Sequence, residues 1–132
     1  MSSSKESRIA DFQSSQAGGE PTETRPWGAF FVLGDGDAYK VKRLLVVPQG
    51  QLSLQSHRQR AEHWVVVKGE ATVTLGDEKR LLTKGQSIDV PLGAIHRIEN
   101  FGEVNVEIIE VQFGDYLGED DIVRYEDVYS RV

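Results

Sequence analysis

From about residue 25 onward, the chain is a series of short apolar or alternating runs separated by turn residues. Segments rich in Gly, Pro, Asn and Asp separate these runs. Because many short strands at roughly ten-residue spacing are typical of sandwiches and barrels, the pattern predicts an all-β domain. The predicted strands cover 29–33, 39–47, 61–68, 70–75, 79–83, 87–90, 95–99 and 104–113.

The two ends of the chain follow a different pattern. Residues 1–24 are rich in Ser, Gln, Gly, Glu and Thr and have little to bury, so we predict a flexible N-terminal tail. A single folded domain is expected over 25–132. After Gly114, an acidic stretch precedes a run of Ile, Val and Tyr, and the pattern leaves a short helix and an extended edge strand as alternatives.

Alternation within the run 61–68 has a chemical consequence. Pleating puts Glu62, Trp64 and Val66 on one face and the intervening residues on the other. A carboxylate inside an apolar barrel is costly without a partner, so an inward Glu62 predicts a cation beside it. The alternative to a metal ion is an ion pair with Arg60 or with a lysine at the mouth of the barrel. The opposite, outward face carries His63, Val65 and Val67.

Four polar side chains are candidate ligands for a divalent metal ion. Gln55 and His57 alternate along one segment and share a face, while Glu62 and His96 come from other predicted strands. Two imidazoles, an amide and a carboxylate leave coordination positions open, which is typical of a catalytic site. These ligand types favour Zn, Mn, Co, Ni or Fe. The alternatives are a core histidine at 96 and a glutamine that bonds only its neighbours.

Composition narrows the possible ligands and partners. The chain has no cysteine, so any metal must sit among nitrogen and oxygen ligands. The net charge of -6 argues against nucleic acid as a partner. There is no apolar run of about 18 residues and no signal-like N-terminus. We therefore expect a cytoplasmic protein with no membrane partner.

At the candidate ligands, the chain resembles the cupin superfamily. Its first motif has the form HxH, three or four residues, E, six residues, G, and here Gln55 replaces the first His. The second motif has the form G, five residues, PxG, two residues, H, three residues, N, and the chain matches every position of it. The matching residues of both motifs are Gln55, His57, Glu62, Gly69, Gly85, Pro91, Gly93, His96 and Asn100. The resemblance implies a double-stranded β-helix, or jelly-roll barrel, that holds a divalent metal ion.

More narrowly, the chain resembles the C-terminal cupin domain of type II phosphomannose isomerases, which are bifunctional mannose-6-phosphate isomerase/GDP-mannose pyrophosphorylases. The matching segments include 25–28, 39–43, 52–55, 60–64, 109–112 and 116–124. The resemblance implies an isomerase of carbohydrate metabolism that interconverts mannose 6-phosphate and fructose 6-phosphate for polysaccharide biosynthesis. It also implies that two copies pair through the outward row of His63, Val65 and Val67, so we expect a homodimer.

The chain departs from the family pattern at several points. Gln49 stands where the family usually has Gly, Ser130 stands where Gly is common, and the residues between Gln55 and Arg60 are usually richer in His. The pyrophosphorylase part is absent, so we expect this chain not to make GDP-mannose by itself. These departures keep a second hypothesis open, a non-catalytic sugar-binding cupin that partners a separate nucleotidyltransferase. A third, an Fe(II) dioxygenase, fits poorly because Gln55 replaces a histidine.

The implied reaction assigns roles to further residues. For the base that moves the carbon proton, the sequence offers Glu110 and a metal-bound water or hydroxide, and Glu110 is as compatible with an outward as with an inward position. Arg60 lies two residues before Glu62 and is a catalytic candidate that can polarise the carbonyl or hold phosphate. The remaining substrate-binding candidates, each of which also has a purely structural interpretation, are Lys40, Lys42, Arg25, Arg124 and Trp64.

Overall fold

The structure is a computed structural model that describes residues 20–129. Over these residues it has eleven strands and no helix, which confirms the predicted all-β class. The strands are β1 (Glu23–Arg25), β2 (Gly28–Gly36), β3 (Tyr39–Val46), β4 (Leu54–Ser56), β5 (Arg60–Lys68), β6 (Ala71–Leu75), β7 (Glu78–Leu82), β8 (Ser87–Val90), β9 (His96–Glu99), β10 (Val106–Gly114) and β11 (Val123–Glu126).

Two antiparallel sheets enclose the core. One has six strands in the order β1-β2-β3-β10-β5-β8, and the other has five in the order β11-β4-β9-β6-β7. Because alternate side chains of each strand point inward, one face of every strand packs against the opposite sheet. The architecture is that of the predicted jelly-roll barrel. Its buried core includes Trp27, Phe30, Leu44, Val46, Trp64, Val66, Val73, Ile88, Ile98 and Ile108.

Strands β5 and β10 carry polar residues into this interior. Glu62 and Trp64 are buried, whereas His63 is partly exposed, as the alternation predicted. In the β5–β10 ladder, Gln112 lies opposite Glu62 and Glu110 lies opposite Trp64. Both β10 side chains are buried, so the inward alternative for Glu110 holds.

Several strand boundaries differ from those that the sequence predicted. Strand β1 begins at Glu23, two residues before the expected domain boundary, and the tail residues 1–19 lie outside the described residues, as does Ser130. Strand β4 ends at Ser56, so His57 lies just beyond the strand instead of within it. After Gly114 the extended alternative is observed, because β11 pairs with β4.

A tight turn precedes β4 at the position where the chain departs from the family pattern. Gln49 has a φ of 68°, in the left-handed region that side chains with a Cβ rarely adopt. At the next residue, Gly50, an added Cβ would lie 2.6 Å from the carbonyl oxygen of Trp27. The glycine at 50 is therefore required for close packing, while the left-handed position is filled by glutamine.

Across the described residues, no helix has the length and apolar character needed to cross a membrane.

Candidate metal centre

Three predicted ligands meet in the barrel interior. His57, Glu62 and His96 are each buried, and one potential ligand atom from each lies within 4.8 Å of the other two. They come from three places in the fold: just after β4, near the start of β5, and the first residue of β9. The antiparallel pairing of the barrel thus unites residues that are up to 39 positions apart.

The two imidazole rings are oriented by main-chain carbonyl groups. His57 Nδ1 lies 2.6 Å from Asp121 O, and His96 Nδ1 lies 2.9 Å from Ala94 O. A carbonyl oxygen can only accept, so each Nδ1 carries the proton and each Nε2 keeps its lone pair. Burial lowers the pKa of both histidines, against the attraction of Glu62, and so favours the neutral rings that bind metals. The donor set therefore fits a divalent ion.

Glu62 is held as a carboxylate by two donors. Arg60 Nε donates to its Oε2 at 2.8 Å, and Trp64 Nε1 donates to its Oε1 at 2.9 Å. Burial by itself would raise the pKa of Glu62, but Arg60 and the imidazoles of His96 and His57 together lower it. Glu62 is thus ionised, and the ion pair with Arg60 that the sequence left as an alternative is present in the structure.

Gln55, the fourth predicted ligand, lies beside the other three. It is opposite His96 in the β4–β9 pair and lines the same cavity. Its amide nitrogen donates to the carbonyl and hydroxyl oxygens of Ser53 at 3.2 and 3.1 Å. This leaves the amide oxygen as its ligating atom, and its membership of the ligand set stays a prediction.

Arg60 contacts both the candidate metal ligands and Glu119. Besides its bond to Glu62, its NH2 donates to His57 Nε2 at 3.3 Å, consistent with the Nδ1-protonated ring. Its NH1 lies 3.6 Å from Glu119 Oε2. This NH1 is buried, and no residue of the described part of the chain forms a hydrogen bond with it.

Strand β10 contributes a second buried pair. Gln112 Nε2 donates to Glu110 Oε1, and the Gln112 amide oxygen has no hydrogen-bond partner among residues 20–129. Burial and the nearby charge of Glu62 raise the pKa of Glu110 to about 8, against the opposing effect of Lys42 and Arg60. Glu110 is therefore a carboxyl group that can exchange a proton near neutral pH.

The cavity around these groups has an excess of cationic side chains. Lys42 is buried, pairs with Glu119 and lies 4.3 Å from the centre of the Phe30 ring. Trp64 forms part of the wall and meets His96 edge-on, with ring centres 5.3 Å apart. The cavity lining has three carboxyl groups and five cationic residues, which are Arg25, Lys42, Arg60, Arg97 and Arg124.

One predicted substrate residue lies elsewhere. Lys40 is on β3 with Lys42, but it does not line the cavity, and its Nζ donates to Leu117 O at 3.4 Å. Lys40 therefore contacts the segment 115–122, which links β10 to β11. Arg25 and Arg124 do line the cavity, as predicted.

Sequence reasoning missed several residues of this site. Glu119 and Asp121 belong to an acidic stretch that gave no periodic signal, and the sequence analysis assigned no role to Gln112. Asp121 accepts hydrogen bonds from the backbone of Arg58 and Gln59 at 3.0 and 2.9 Å, besides orienting His57. The match of segment 116–124 to the family was the signal that could have found Glu119 and Asp121.

The family described as mannose-6-phosphate isomerase C-terminal matches residues 14–127. The chain belongs to this family. Within it, the chain is 57% identical over 107 residues to the xanthan biosynthesis protein XanB of Xanthomonas campestris pv. campestris, strain B100. It is 52% identical over 107 residues to the alginate biosynthesis protein AlgA of Pseudomonas aeruginosa. It is also 52% identical over 108 residues to the mannose-1-phosphate guanylyltransferase ManC of Salmonella typhimurium.

The matches cover most of this member of the family but little of the relatives. They span 81% of the chain for XanB and AlgA and 82% for ManC. They span 23% of XanB and 22% of AlgA and ManC. The chain thus corresponds to less than a quarter of these curated relatives.

Solved structures with the same fold have low sequence identity to this family member. The capsular polysaccharide assembling protein CapF of Staphylococcus aureus gives a TM-score of 0.67 at 20% identity, over 80% of this chain and 32% of that one. A recombinant oxalate oxidase in complex with glycolate gives a TM-score of 0.64 at 21% identity, over 84% of this chain and 67% of that one. The cupin domain of Schizosaccharomyces pombe Cnp3 gives a TM-score of 0.63 at 16% identity, over 66% of this chain and 64% of that one. These similarities confirm the cupin fold.

Proposed function

We propose that this chain is a metal-dependent isomerase that interconverts mannose 6-phosphate and fructose 6-phosphate in the cytoplasm. The observation that carries the proposal is one cavity that contains both the buried group His57, Glu62 and His96 and the buried cations Lys42 and Arg60. A sugar phosphate needs both parts, because its oxygens at C1 and C2 and its phosphate are recognised by different chemistry.

The ligand set would be His57, Glu62 and His96 with Gln55. A divalent ion bound there, Zn, Mn, Co or Ni, would stabilise negative charge on the sugar oxygens during the reaction. The protein's own residues position the ligands: Asp121 O and Ala94 O orient the two imidazoles, and Arg60 and Trp64 hold the carboxylate of Glu62.

Glu110 supplies the base in this proposal. As a carboxylate it removes the proton from C2 of mannose 6-phosphate, and the C–H electron pair forms the C1=C2 bond of an enediol while the aldehyde oxygen takes up a proton. The same carboxyl group then returns its proton to C1, and loss of the O2 proton completes the ketone. A pKa of about 8 suits a group that must both accept and release a proton.

The cationic residues recognise the substrate. Arg60 has a buried NH1 that forms no hydrogen bond within the described residues, which makes it available to a substrate oxygen. Lys42, Arg25 and Arg124 provide positive charge for the phosphate, and Trp64 forms an apolar wall against the sugar ring. Lys40 contributes indirectly in this proposal, through its bond to Leu117 O.

The test is formation of fructose 6-phosphate from mannose 6-phosphate in a coupled assay. Activity should disappear after chelation and return when one of the four metals is added back. Activity that persists after complete metal removal would contradict the role of the ion. Lack of turnover with any hexose phosphate would contradict the isomerase.

A second candidate is a non-catalytic sugar-binding cupin that partners a separate nucleotidyltransferase. The relatives favour it, since one is a guanylyltransferase more than four times as long as the matched region. Saturable binding of mannose 6-phosphate without turnover, together with co-purification of the chain with a nucleotidyltransferase, would support this function over the first.

We also propose that two copies pair through the outward row His63, Val65 and Val67 on β5. Val67 is 39% exposed, which leaves apolar surface on the outer face of the six-stranded sheet. Sedimentation analysis should give a dimer for the wild type and a monomer for Val65→Asp. A monomeric wild type would contradict the pairing.

A further inference from the structure

A carboxylate from the segment 115–122 lies between two buried cations of the cavity. Glu119 Oε1 accepts a hydrogen bond from Lys42 Nζ, and its Oε2 lies 3.6 Å from Arg60 NH1. The side chains of Lys42 and Arg60 are 4% and 6% exposed, whereas that of Glu119 is 38% exposed. The cations are therefore fixed inside the protein, and their carboxylate partner is at the edge of the solvent.

The charges explain why a carboxylate occupies this position. A buried ammonium or guanidinium group without a counter-charge is strongly destabilising, so Lys42 and Arg60 require a nearby anion. Burial would raise the pKa of Glu119, but Lys42 and Arg60 lower it below its usual range. Glu119 is thus ionised and supplies the negative charge that the cavity needs.

We propose that Glu119 is an exchangeable internal anion, which fills the subsite formed by Lys42 and Arg60 until a phosphate ester displaces it into solvent. The proposal deepens the isomerase function and rests on it for the identity of the ester. Arg60 NH1 supplies independent support, because this buried donor has an ion-pair partner at 3.6 Å but no hydrogen bond among the described residues. An incoming phosphate oxygen would accept the hydrogen bond that this donor lacks.

The backbone around Glu119 is anchored, so displacement requires its side chain alone to move. Asp121 binds the backbone of Arg58 and Gln59 through its carboxylate and the ring of His57 through its carbonyl. On the other side, Leu117 O accepts from Lys40 Nζ at 3.4 Å. The segment therefore keeps its hold on the His57 ring while Glu119 leaves the subsite.

This exchange gives a basis for substrate selection. A neutral sugar that displaced Glu119 would leave Lys42 buried without its ion-pair partner and Arg60 with Glu62 as its remaining partner, so it competes poorly. A phosphate ester brings about two negative charges at neutral pH and replaces the carboxylate. Glu119 would accordingly act as a specificity-determining residue that excludes unphosphorylated sugars.

The experiment compares Glu119→Gln with the matched control Asp120→Asn. Both changes remove one negative charge from the same segment, but Asp120 accepts from Tyr116 OH and does not line the cavity. The probe is inorganic phosphate, titrated calorimetrically into each 132-residue chain. Because Glu119→Gln removes the competing anion, we expect phosphate to bind about ten-fold more tightly than to the wild type. Asp120→Asn should stay within about two-fold of the wild type.

Several results would overturn the proposal. They are unchanged or weaker phosphate binding by Glu119→Gln, an equal gain in Asp120→Asn, and no phosphate binding by any of the three proteins. Thermal unfolding with and without phosphate provides a second readout. Glu119→Gln should melt lower than the wild type without phosphate and gain more from its addition. An equal rise in melting temperature on phosphate addition for Glu119→Gln and the wild type would contradict the exchange.

The same proteins separate this proposal from the isomerase itself. Tighter phosphate binding by Glu119→Gln without turnover in any protein would support the exchange and contradict the enzyme. Turnover in the wild type together with no gain in phosphate affinity would support the enzyme and contradict the exchange. A loss of kcat with unchanged phosphate affinity would instead make Glu119 a catalytic group.

Discussion

Arg60 donates through Nε to Oε2 of Glu62 at 2.8 Å, with both side chains buried in β5. Two residues apart on one strand, they share its inward face. The bond joins the proposed substrate-binding guanidinium to the proposed metal-binding carboxylate. A single strand thus sets the positions of both proposed binding groups.

Replacing Arg60 by lysine tests the need for its forked geometry. Arg60→Lys keeps the charge but cannot contact Glu62, His57 and Glu119 together, so kcat/KM for mannose 6-phosphate should fall about 100-fold. Arg58→Lys, a neighbouring and exposed position, is the control and should retain wild-type activity. Equal activity in the two variants would argue against a role for Arg60.

The pH dependence of activity tests Glu110 as the base. With a pKa of about 8, the carboxylate fraction and hence kcat/KM should rise from about pH 6 through pH 8 and level off above about pH 9. Glu110→Gln should lose at least about 100-fold in kcat at every pH. Glu107→Gln, on the same strand but outside the cavity, should keep the wild-type profile. A Glu110→Gln variant with the wild-type pH profile of kcat/KM would exclude Glu110 as the base.

The same group should affect the stability of the fold. Between pH 4.5 and about 8, the folded protein keeps the Glu110 proton while the unfolded chain has lost it. The unfolded state therefore binds fewer protons, and the free energy of unfolding should decrease as pH rises through this window. Denaturant titrations should show a smaller decrease for Glu110→Gln. An unchanged slope would mean that Glu110 ionises normally.

Metal binding should depend on two of the three histidines. His96→Ala removes a ligand and should weaken metal binding by more than about 100-fold, together with loss of the metal-induced rise in melting temperature. The matched control is His63→Ala, because His63 faces outward and its Nδ1 contacts Asp89 at 2.6 Å. Elemental analysis of the purified variants checks this. Equal metal content in both would contradict the site.

The turn before β4 offers a test that is independent of function. Gln49→Gly should raise the free energy of unfolding by about 1 kcal/mol, because glycine adopts the left-handed conformation without a Cβ clash. Gly50→Ala should instead lower it by about 1–3 kcal/mol, since its Cβ would meet Trp27 O. Denaturant unfolding of the two variants gives both values. A less stable Gln49→Gly variant would contradict the assigned turn.

The sequence predicted the parts of the site that lie on regular strands. Alternation along β5 predicted that Glu62 and Trp64 face inward, and motif spacing predicted that His57 and His96 join Glu62. On β10 the sequence was ambiguous, because the adjacent Ile108 and Ile109 blur the alternation. In the structure Ile108, Glu110 and Gln112 are all buried.

Contacts made by irregular segments could not be predicted in the same way. The bond from His57 to Asp121 spans 64 residues and ends on a segment with no hydrophobic period. Its acceptor is a carbonyl oxygen, a group that every residue has, so no side-chain identity indicates it. The pairing of Glu119 with Lys42 likewise depends on where the segment crosses the cavity mouth.

That same carbonyl has an evolutionary consequence for the stretch from β10 to Asp121. Point substitutions at position 121 leave the acceptor of the His57 ring in place, whereas one inserted or deleted residue would move it by up to about 3.8 Å. Selection should therefore act on the length of this connection as well as on the side chains of Glu119 and Asp121. At its other positions, homologues are expected to vary by replacement and not by gaps.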